Sequence, residues 1–321
     1  MQVCVTGANG FIGRYLIDAL LHHGHTIRVL TREAGNIFPA NTQVIVGDLT
    51  KSDCPLNQFL SGCDILFHCA GEVRDVKFMR LLHVEGTKRL IKSVENEYAR
   101  SARKIHWVQL SSVGAYGPPI GGPQTVRVVT ENTSTNPFNE YEISKTLSDE
   151  LVTQAGRGVS MTYTILRPSN VFGTKMTNQS LRKLIQMVRR KQFFYIGKPG
   201  AVTTYVHVND VVNALIVCGT NPCASGQIYN LSSDCTLEEL VKCIALCIGV
   251  KEPRLRIPAP LARISLGLLS AFLLSLVRVP STNVLVLRTR YPADKIQMEL
   301  GFEFLTPMPG GVRDMVMELI S

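Results

Sequence analysis

The sequence predicts an α/β protein: a doubly wound parallel sheet, with a smaller mixed α/β unit drawn mainly from the second half of the chain. Three observations predict it. Apolar, strand-like runs alternate with amphipathic stretches through the first half, the opening strand is apolar almost throughout, and a glycine-rich turn joins that strand to a helix.

Gln2 to Thr6 reads as a short strand buried on both faces. The segment Thr-Gly-Ala-Asn-Gly-Phe-Ile-Gly at 6–13 then leads into a helix from Phe11 to His23. Gly7 permits a tight turn, Gly10 lets the backbone approach a phosphate, and Gly13 lets helix and sheet pack closely. With the free N–H groups of the helix start, this is a dinucleotide-binding turn, and the sheet is predicted to be of the Rossmann type.

The second strand, Thr26 to Thr31, ends in Leu30-Thr31-Arg32, with no acid until Glu33. An acid at this strand end accepts the ribose hydroxyls of NAD, whereas NADP needs a cation for its additional phosphate, so Arg32 favours NADP over NAD. Gln43 to Val46 forms the third strand, after which Asp48 and Leu49 are placed to meet an adenine. A short helix near Leu56 to Ser61 precedes the fourth strand, Ile65 to His68. The small residues that follow it, Ala70 and Gly71, leave room for a nicotinamide ribose; His68 itself reads as a core residue.

A long helix from about Phe78 to Tyr98 leads to the fifth strand, Ile105 to Leu110, and Ser111 and Ser112 come directly after it. A hydroxyl there can bond a substrate oxygen, or simply cap a turn. The stretch from Tyr116 to Pro137 is rich in Gly, Pro, Thr and Asn and reads as a loop rimming the site. Tyr141 and Lys145 then share one face of a helix from Tyr141 to Gln154, where an ammonium can favour a tyrosinate. Met161 to Leu166 is the sixth strand.

Beyond Val171 the rhythm is less regular. Helices are predicted from Gln179 to Arg190, Asp210 to Cys218 and Leu237 to Ile248, the last with a capping box of Thr236 and Glu239. Strands fall at Thr204 to Val208 and Ile228 to Leu231. A helix from Lys295 to Leu300 stops at Gly301, and a terminal helix starts near Gly311.

The bulk numbers narrow the function classes. The formal net charge is +9, but the basic residues are scattered without interleaved aromatics, which suits anionic small ligands and gives no support to nucleic-acid binding. Nine cysteines without a C-x-x-C pair point to reduced thiols and to no metal site. The strand that begins at once leaves no secretory leader, so a cytoplasmic setting is expected. Ile264 to Val277 carries no charge; it falls short of the about 20 residues a bilayer span needs and reads as a buried helix, or one that touches a membrane surface weakly or forms a dimer.

Taken together, the sequence resembles the extended short-chain dehydrogenase/reductase superfamily, in its epimerase/dehydratase branch. The resemblance rests on the turn at 6–13, Asp-Leu at 48–49, Ser-Ser-Val-Gly-Ala-Tyr-Gly at 111–117, Tyr-Glu-Ile-Ser-Lys at 141–145, Arg-Pro-Ser-Asn-Val-Phe-Gly at 167–173, Tyr-Val-His-Val-Asn-Asp at 205–210 and Leu-Gly-Phe at 300–302. It implies Ser112 as the catalytic hydroxyl, Tyr141 as general acid/base and Lys145 as its electrostatic and ribose-binding partner. It implies a cofactor set of Gly7, Asn9, Gly10, Phe11, Ile12, Gly13, Arg32, Asp48, Leu49, Ala70, Gly71, Tyr141, Lys145 and Pro168, with Ser112 and Asn170 on the substrate. It further implies a cofactor domain over 1–170, a mainly substrate-binding domain over 171–321 with segments returning to the main sheet, and a homodimer.

Two departures from the family pattern stand out. His83 replaces the usual Asn of Asn-Val-x-Gly-Thr, and Thr203 and Thr204 stand where many nucleotide-sugar enzymes carry a basic and acidic pair. The leading expectation is an NAD(P)-dependent epimerase or dehydrogenase/reductase of nucleoside-diphosphate sugars. The alternatives are a 3-hydroxysteroid dehydrogenase-like or other hydrophobic ketone/alcohol oxidoreductase, and an inactive dinucleotide-binding regulator.

Overall fold

The computed structural model describes residues 1–33, 38–120, 122, 125–176, 179–258, 286–306 and 308–320. Strand β1 (Gln2–Thr6) runs into α1 (Phe11–His22), followed by β2 (Thr26–Thr31), β3 (Thr42–Val46), α2 (Leu56–Leu60) and β4 (Ile65–His68). Next come α3 (Val76–Arg80), a π-helical turn (Leu81–Gly86), α4 (Thr87–Ser101), β5 (Ile105–Leu110), β6 (Val126–Val128), α5 (Glu140–Ala155) and β7 (Met161–Pro168). The later elements are β8 (Asn170–Phe172), α6 (Ser180–Arg189), β9 (Tyr195–Ile196), β10 (Val202–His207), α7 (Val208–Thr220), β11 (Gln227–Leu231), β12 (Ser233–Thr236), α8 (Leu237–Ile248), β13 (Arg256–Ile257), β14 (Arg288–Arg290), α9 (Asp294–Leu300) and α10 (Met308–Ile320).

Seven strands form the central sheet in the order β11-β7-β5-β4-β1-β2-β3, and every neighbouring pair is parallel. The period of two along a strand sorts side chains to the two faces. Val3 and Val5 of β1 pack with Leu16, Ile17 and Leu20 of α1 and with Val212 and Leu215 of α7. Cys4, between them, joins Phe59 and Leu60 of α2, Leu90 and Val94 of α4 and Trp107 on the opposite face. A run apolar on both faces is what this double burial requires, and each fully buried aliphatic or aromatic side chain contributes roughly 1.5–3 kcal/mol.

A second core gathers Leu181, Leu184, Ile185 and Val188 of α6, Leu240, Val241 and Ile244 of α8, and Val312 and Met315 of α10. Helices α8 and α10 pack on the three-stranded sheet β12-β10-β8, and α6 packs against both of them.

Several elements differ from the sequence expectation. The long helix after β4 is not uniform, because the π turn at 81–86 divides α3 from α4. The 116–137 stretch is not all loop: β6 pairs in parallel with β14, tying it to residues 288–290. Helix α10 begins at Met308 and carries Gly310 and Gly311 inside it. The capping box at Thr236 and Glu239 is present as expected. All nine cysteines are free. The apolar stretch 264–277 lies outside the described residues; among those described, no helix is long and apolar enough to cross a membrane, and no group of three or more His, Cys, Asp or Glu could hold a metal.

Candidate active site

Strands β1, β2 and β3 extend the sheet one way, and β4 lies on the other side of β1. In open α/β sheets the ligand crevice opens outside the carboxyl ends of the strands at such a reversal. Gly7 sits there with φ +70°, and a Cβ on it would stand 2.5 Å from the carbonyl carbon of Cys69, which follows β4. A Cβ on Gly13 would stand 2.2 Å from the Gly7 oxygen, so both positions exclude any side chain.

Helix α1 starts after Gly10 with no side-chain cap and no acid in its first turn. The amides of Phe11, Ile12 and Gly13 and the positive end of the helix dipole are thus available to an anion. Asn9 donates from Nδ2 to Thr31 Oγ1 at 2.8 Å, while its buried Oδ1 has no partner and can accept from a ribose hydroxyl. The cradle fits a dinucleotide pyrophosphate and its adjoining ribose.

Arg32 follows β2, and its charge reaches both Asp48 and Glu72. Burial pushes the Asp48 carboxyl up, but the Thr50 amide and hydroxyl, at 2.9 and 2.8 Å, together with Arg32 and Lys51, bring it below its ordinary value. Glu72 is held low by the amides of Arg74, Asp75 and Val73, with Arg32 adding to them. Leu49 and Ala70 are buried beside this edge, and the Ala70 amide donates to Thr6 Oγ1 at 3.3 Å. Pro168 is the buried last residue of β7.

The second half of the site is set by the start of α5. Asn139 accepts the Glu142 amide at 3.0 Å and Glu142 accepts the Asn139 amide at 3.4 Å, a capping box the sequence already spelled but which was not read from it. It fixes the rotation of a helix on which Tyr141, Lys145 and Asp149, spaced four apart, share one face. Lys145 is buried and donates from Nζ to the Leu110 carbonyl at 2.5 Å, at the carboxyl end of β5. Burial lowers its ammonium pKa, while Asp149 and Cys69 oppose that fall.

Ser111 and Ser112 face opposite ways, as consecutive residues of extended chain do. The Ser111 hydroxyl donates to Asp149 Oδ2 at 2.7 Å, inside the core. Ser112 is partly open, accepts the Gly114 amide at 3.1 Å and lies close enough to the Tyr141 phenol to influence it. The expected lowering of that phenol by Lys145 is not what the structure shows. Burial and then the Asp149 charge push it up to about 12, with Ser112 pulling the other way, and Nζ is directed to the Leu110 carbonyl.

Two further residues escaped the sequence reading. Asp149 was legible as the third member of the 141, 145, 149 series, and Arg167 as its partner inside the Arg-Pro-x-Asn segment; they pair at 3.0 Å. His83 packs its ring edge against Tyr141, with centroids 5.8 Å apart. Asn170 is exposed at the start of β8, its Nδ2 donating to the Thr204 carbonyl at 3.1 Å, and among the described hydrogen bonds none joins it to Tyr141 or Ser112.

Comparison with known proteins agrees with this arrangement. The 4-hydroxy-2-methyl-3-oxo-4-farnesyl-3,4-dihydroquinoline-1-oxide ketoreductase of Stigmatella aurantiaca is 28% identical over 319 residues, covering 94% of this chain and 92% of its own. Among solved structures, a putative epimerase from Burkholderia cenocepacia superimposes with TM-score 0.76 at 20% identity, covering 100% of this chain and 98% of its own. The UDP-glucose 4-epimerase of Thermotoga maritima, solved with UDP-glucose, gives TM-score 0.74 at 19% identity over 100% and 99%. Those two likenesses concern the fold. Residues 3–232 match the NAD dependent epimerase/dehydratase family itself, so the chain belongs to that family and is an NAD(P)-dependent enzyme.

Proposed function

We propose that this enzyme reduces the ketone of a largely apolar substrate, with NADPH as the reductant and Tyr141 as the general acid. The observation that carries this reading is Arg32, a cation standing after β2 where a carboxylate would otherwise take the ribose hydroxyls. An enzyme that takes up NADPH releases the oxidised form, whereas an epimerase regenerates its own cofactor.

The residues at hand suit the reducing direction. The glycine turn at 6–13 and Asn9 would hold the pyrophosphate and ribose, Arg32 the additional phosphate, and Asp48 and Leu49 the adenine. The bound nicotinamide supplies hydride to the carbonyl carbon. A phenol kept protonated by burial is the form that donates, so Tyr141 gives its proton to the carbonyl oxygen while the Ser112 hydroxyl holds that oxygen in place. Lys145, whose ammonium Asp149 supports, would hold the nicotinamide ribose beside the phenol.

An apolar substrate is supported by what flanks Tyr141. Phe138 is 77% exposed just before α5, and Val73 is 63% exposed in the turn after β4. The Arg80–Glu140 ion pair of 3.0 Å holds α3 against the start of α5, and Val76 and Phe78 of α3 are also exposed, so four apolar side chains line adjoining segments. Thr203 and Thr204 offer no charged pair to a nucleotide sugar, and the Stigmatella relative is named as a ketoreductase of a farnesylated quinoline oxide. The division into cofactor-binding residues 1–170 and mainly substrate-binding residues 171–321 belongs to the same reading, supported by the separate core of α6, α8 and α10.

A nucleotide-sugar epimerase is the second reading, favoured by the exposed Asn170 and by the UDP-glucose in the Thermotoga structure. One assay separates the two: purified protein is given NADPH or NADH with a panel of apolar ketones, and separately UDP-glucose, while nicotinamide absorbance and products are followed. Stoichiometric consumption of NADPH with an apolar ketone is expected. Interconversion of the sugar without net consumption of cofactor would establish the epimerase instead.

A further inference from the structure

His83 lies in the π turn Leu81–Gly86 and is 1% exposed. A π turn re-aims the side chains it carries, and such turns concentrate at functional sites. Here the imidazole reaches two parts of the crevice at once. Its Nε2 accepts the backbone N–H of Glu72 at 2.8 Å, its Nδ1 lies 2.9 Å from Ser144 Oγ, and its ring meets the Tyr141 ring edge-on at an interplanar angle of 80°.

The hydrogen-bond directions allow one tautomer. The Ser144 hydroxyl donates to the Glu140 carbonyl at 2.6 Å, so it accepts from His83, which places the ring proton on Nδ1 and leaves the Nε2 lone pair for the Glu72 amide. A second ring proton would oppose one N–H to another. Burial, and then the Lys145 charge, hold the ring neutral, with its pKa brought down to about 3.

What Nε2 grips is a unit rather than one residue. The Glu72 carboxylate collects the amides of Val73, Arg74 and Asp75 at 2.8, 2.7 and 3.2 Å, so the Glu72 amide carries the whole turn after β4 with it. Gly71 lies beside the same nitrogen, since a Cβ there would stand 3.5 Å from Nε2.

We propose that His83 is a positioning residue that clamps the 71–75 turn to the Tyr141 ring, so that the wall of the crevice and the proton-donating phenol keep one spacing. An asparagine, usual at this position in proteins the sequence resembles, has no ring to set against Tyr141. The inference rests on the role given to Tyr141 above and adds a residue that acts through it.

Two variants separate the two grips. His83→Phe keeps a ring against Tyr141 and removes both nitrogens; His83→Asn keeps a polar group and removes the ring. In ligand-free His83→Phe, amide hydrogen exchange at residues 72–75 is expected to speed up by about tenfold or more, with the KM for NADPH raised more than kcat is lowered. In His83→Asn, kcat is expected to fall about tenfold or more while the KM for NADPH changes less, because displacing a reacting group by about 1 Å can cost up to about a hundredfold. Unchanged exchange at 72–75 in His83→Phe, or a His83→Asn kcat within about twofold of the parent, overturns the proposal whatever the melting temperatures do. Should His83→Phe fail to fold, the His83→Asn result decides alone. Tyr141→Phe is run alongside: full turnover there sinks the role of Tyr141 itself, whereas a dead Tyr141→Phe beside normal His83 variants sinks only this inference.

Discussion

Asp149 and Arg167 form an ion pair of 3.0 Å whose side chains are 3% and 5% exposed. Asp149 Oδ2 takes both Arg167 Nε and Nη2 as well as the Ser111 hydroxyl, and the guanidinium lies over the Tyr116 ring, 5.1 Å from its centroid. The pair therefore anchors the same face of α5 that carries Tyr141 and Lys145. Asp149→Asn is expected to strand a buried guanidinium and lose roughly 3–5 kcal/mol of stability, read from denaturant unfolding. In whatever fraction stays folded, the phenol of Tyr141 should titrate lower than in the parent, because the Asp149 charge is one of the causes of its rise. A variant with parent stability would show that Arg167 finds another partner.

The two serines after β5 should separate function from stability. Ser112 meets the Tyr141 phenol, so Ser112→Ala is expected to lower kcat by about 10²–10³-fold with the melting transition nearly unchanged. Ser111 holds Asp149, so Ser111→Ala is expected to cost roughly 1–3 kcal/mol of stability and to leave kcat within a few-fold. Steady-state rates and unfolding curves of both variants check this, and the reverse pattern would reassign the substrate hydroxyl to Ser111.

Arg32 should decide the cofactor. A charge-assisted hydrogen bond to the additional phosphate is worth roughly 1.5–3 kcal/mol, so Arg32→Ala is expected to raise the KM for NADPH about ten- to hundredfold. The KM for NADH should stay within about twofold, since that cofactor lacks the phosphate. Equal effects on the two would reduce Arg32 to a general electrostatic contribution next to Asp48 and Glu72.

Much of this arrangement was legible because local rules and the tertiary structure agree. Val3 to Val5 is apolar on both faces, and Gly7 and Gly13 are glycines because backbone atoms occupy the space of a Cβ. What escaped depends on contacts distant in sequence or too brief for periodicity. Strand β6 has three residues and exists through its pairing with residues 288–290. The π turn at 81–86 adds a residue to a helix without changing the composition that signals it. Neither serine at 111 and 112 could be preferred from residue type, because the register of β5 decides which of them faces the core. Its spacing puts Lys145 on one helix face with Tyr141, yet spacing says nothing about the Leu110 carbonyl that receives its ammonium.

Two of the buried histidines, His68 and His83, give the protein a predictable acid limit. His68, 1% exposed, lies 2.7 Å from Thr6 Oγ1 through Nδ1 and 3.2 Å from Thr87 Oγ1 through Nε2, and burial, then Lys145 and His83, hold its pKa well below the ordinary 6.5. His83 is brought down to about 3. In both, the folded state refuses a proton that the unfolded chain accepts below pH 6.5. The stability tied to the neutral rings is therefore complete above that pH and is lost as pH falls from 6.5 toward the folded values. The slope while the unfolded state alone is protonated is about 1.4 kcal/mol per pH unit for each histidine. Urea midpoints taken from about pH 7 down to about pH 5 should fall for the parent, and the slope for His83→Asn should be shallower by about one histidine's share. Parallel slopes would mean that His83 gains its proton as readily in the folded protein as in the unfolded chain, and the single tautomer assigned to it would be wrong.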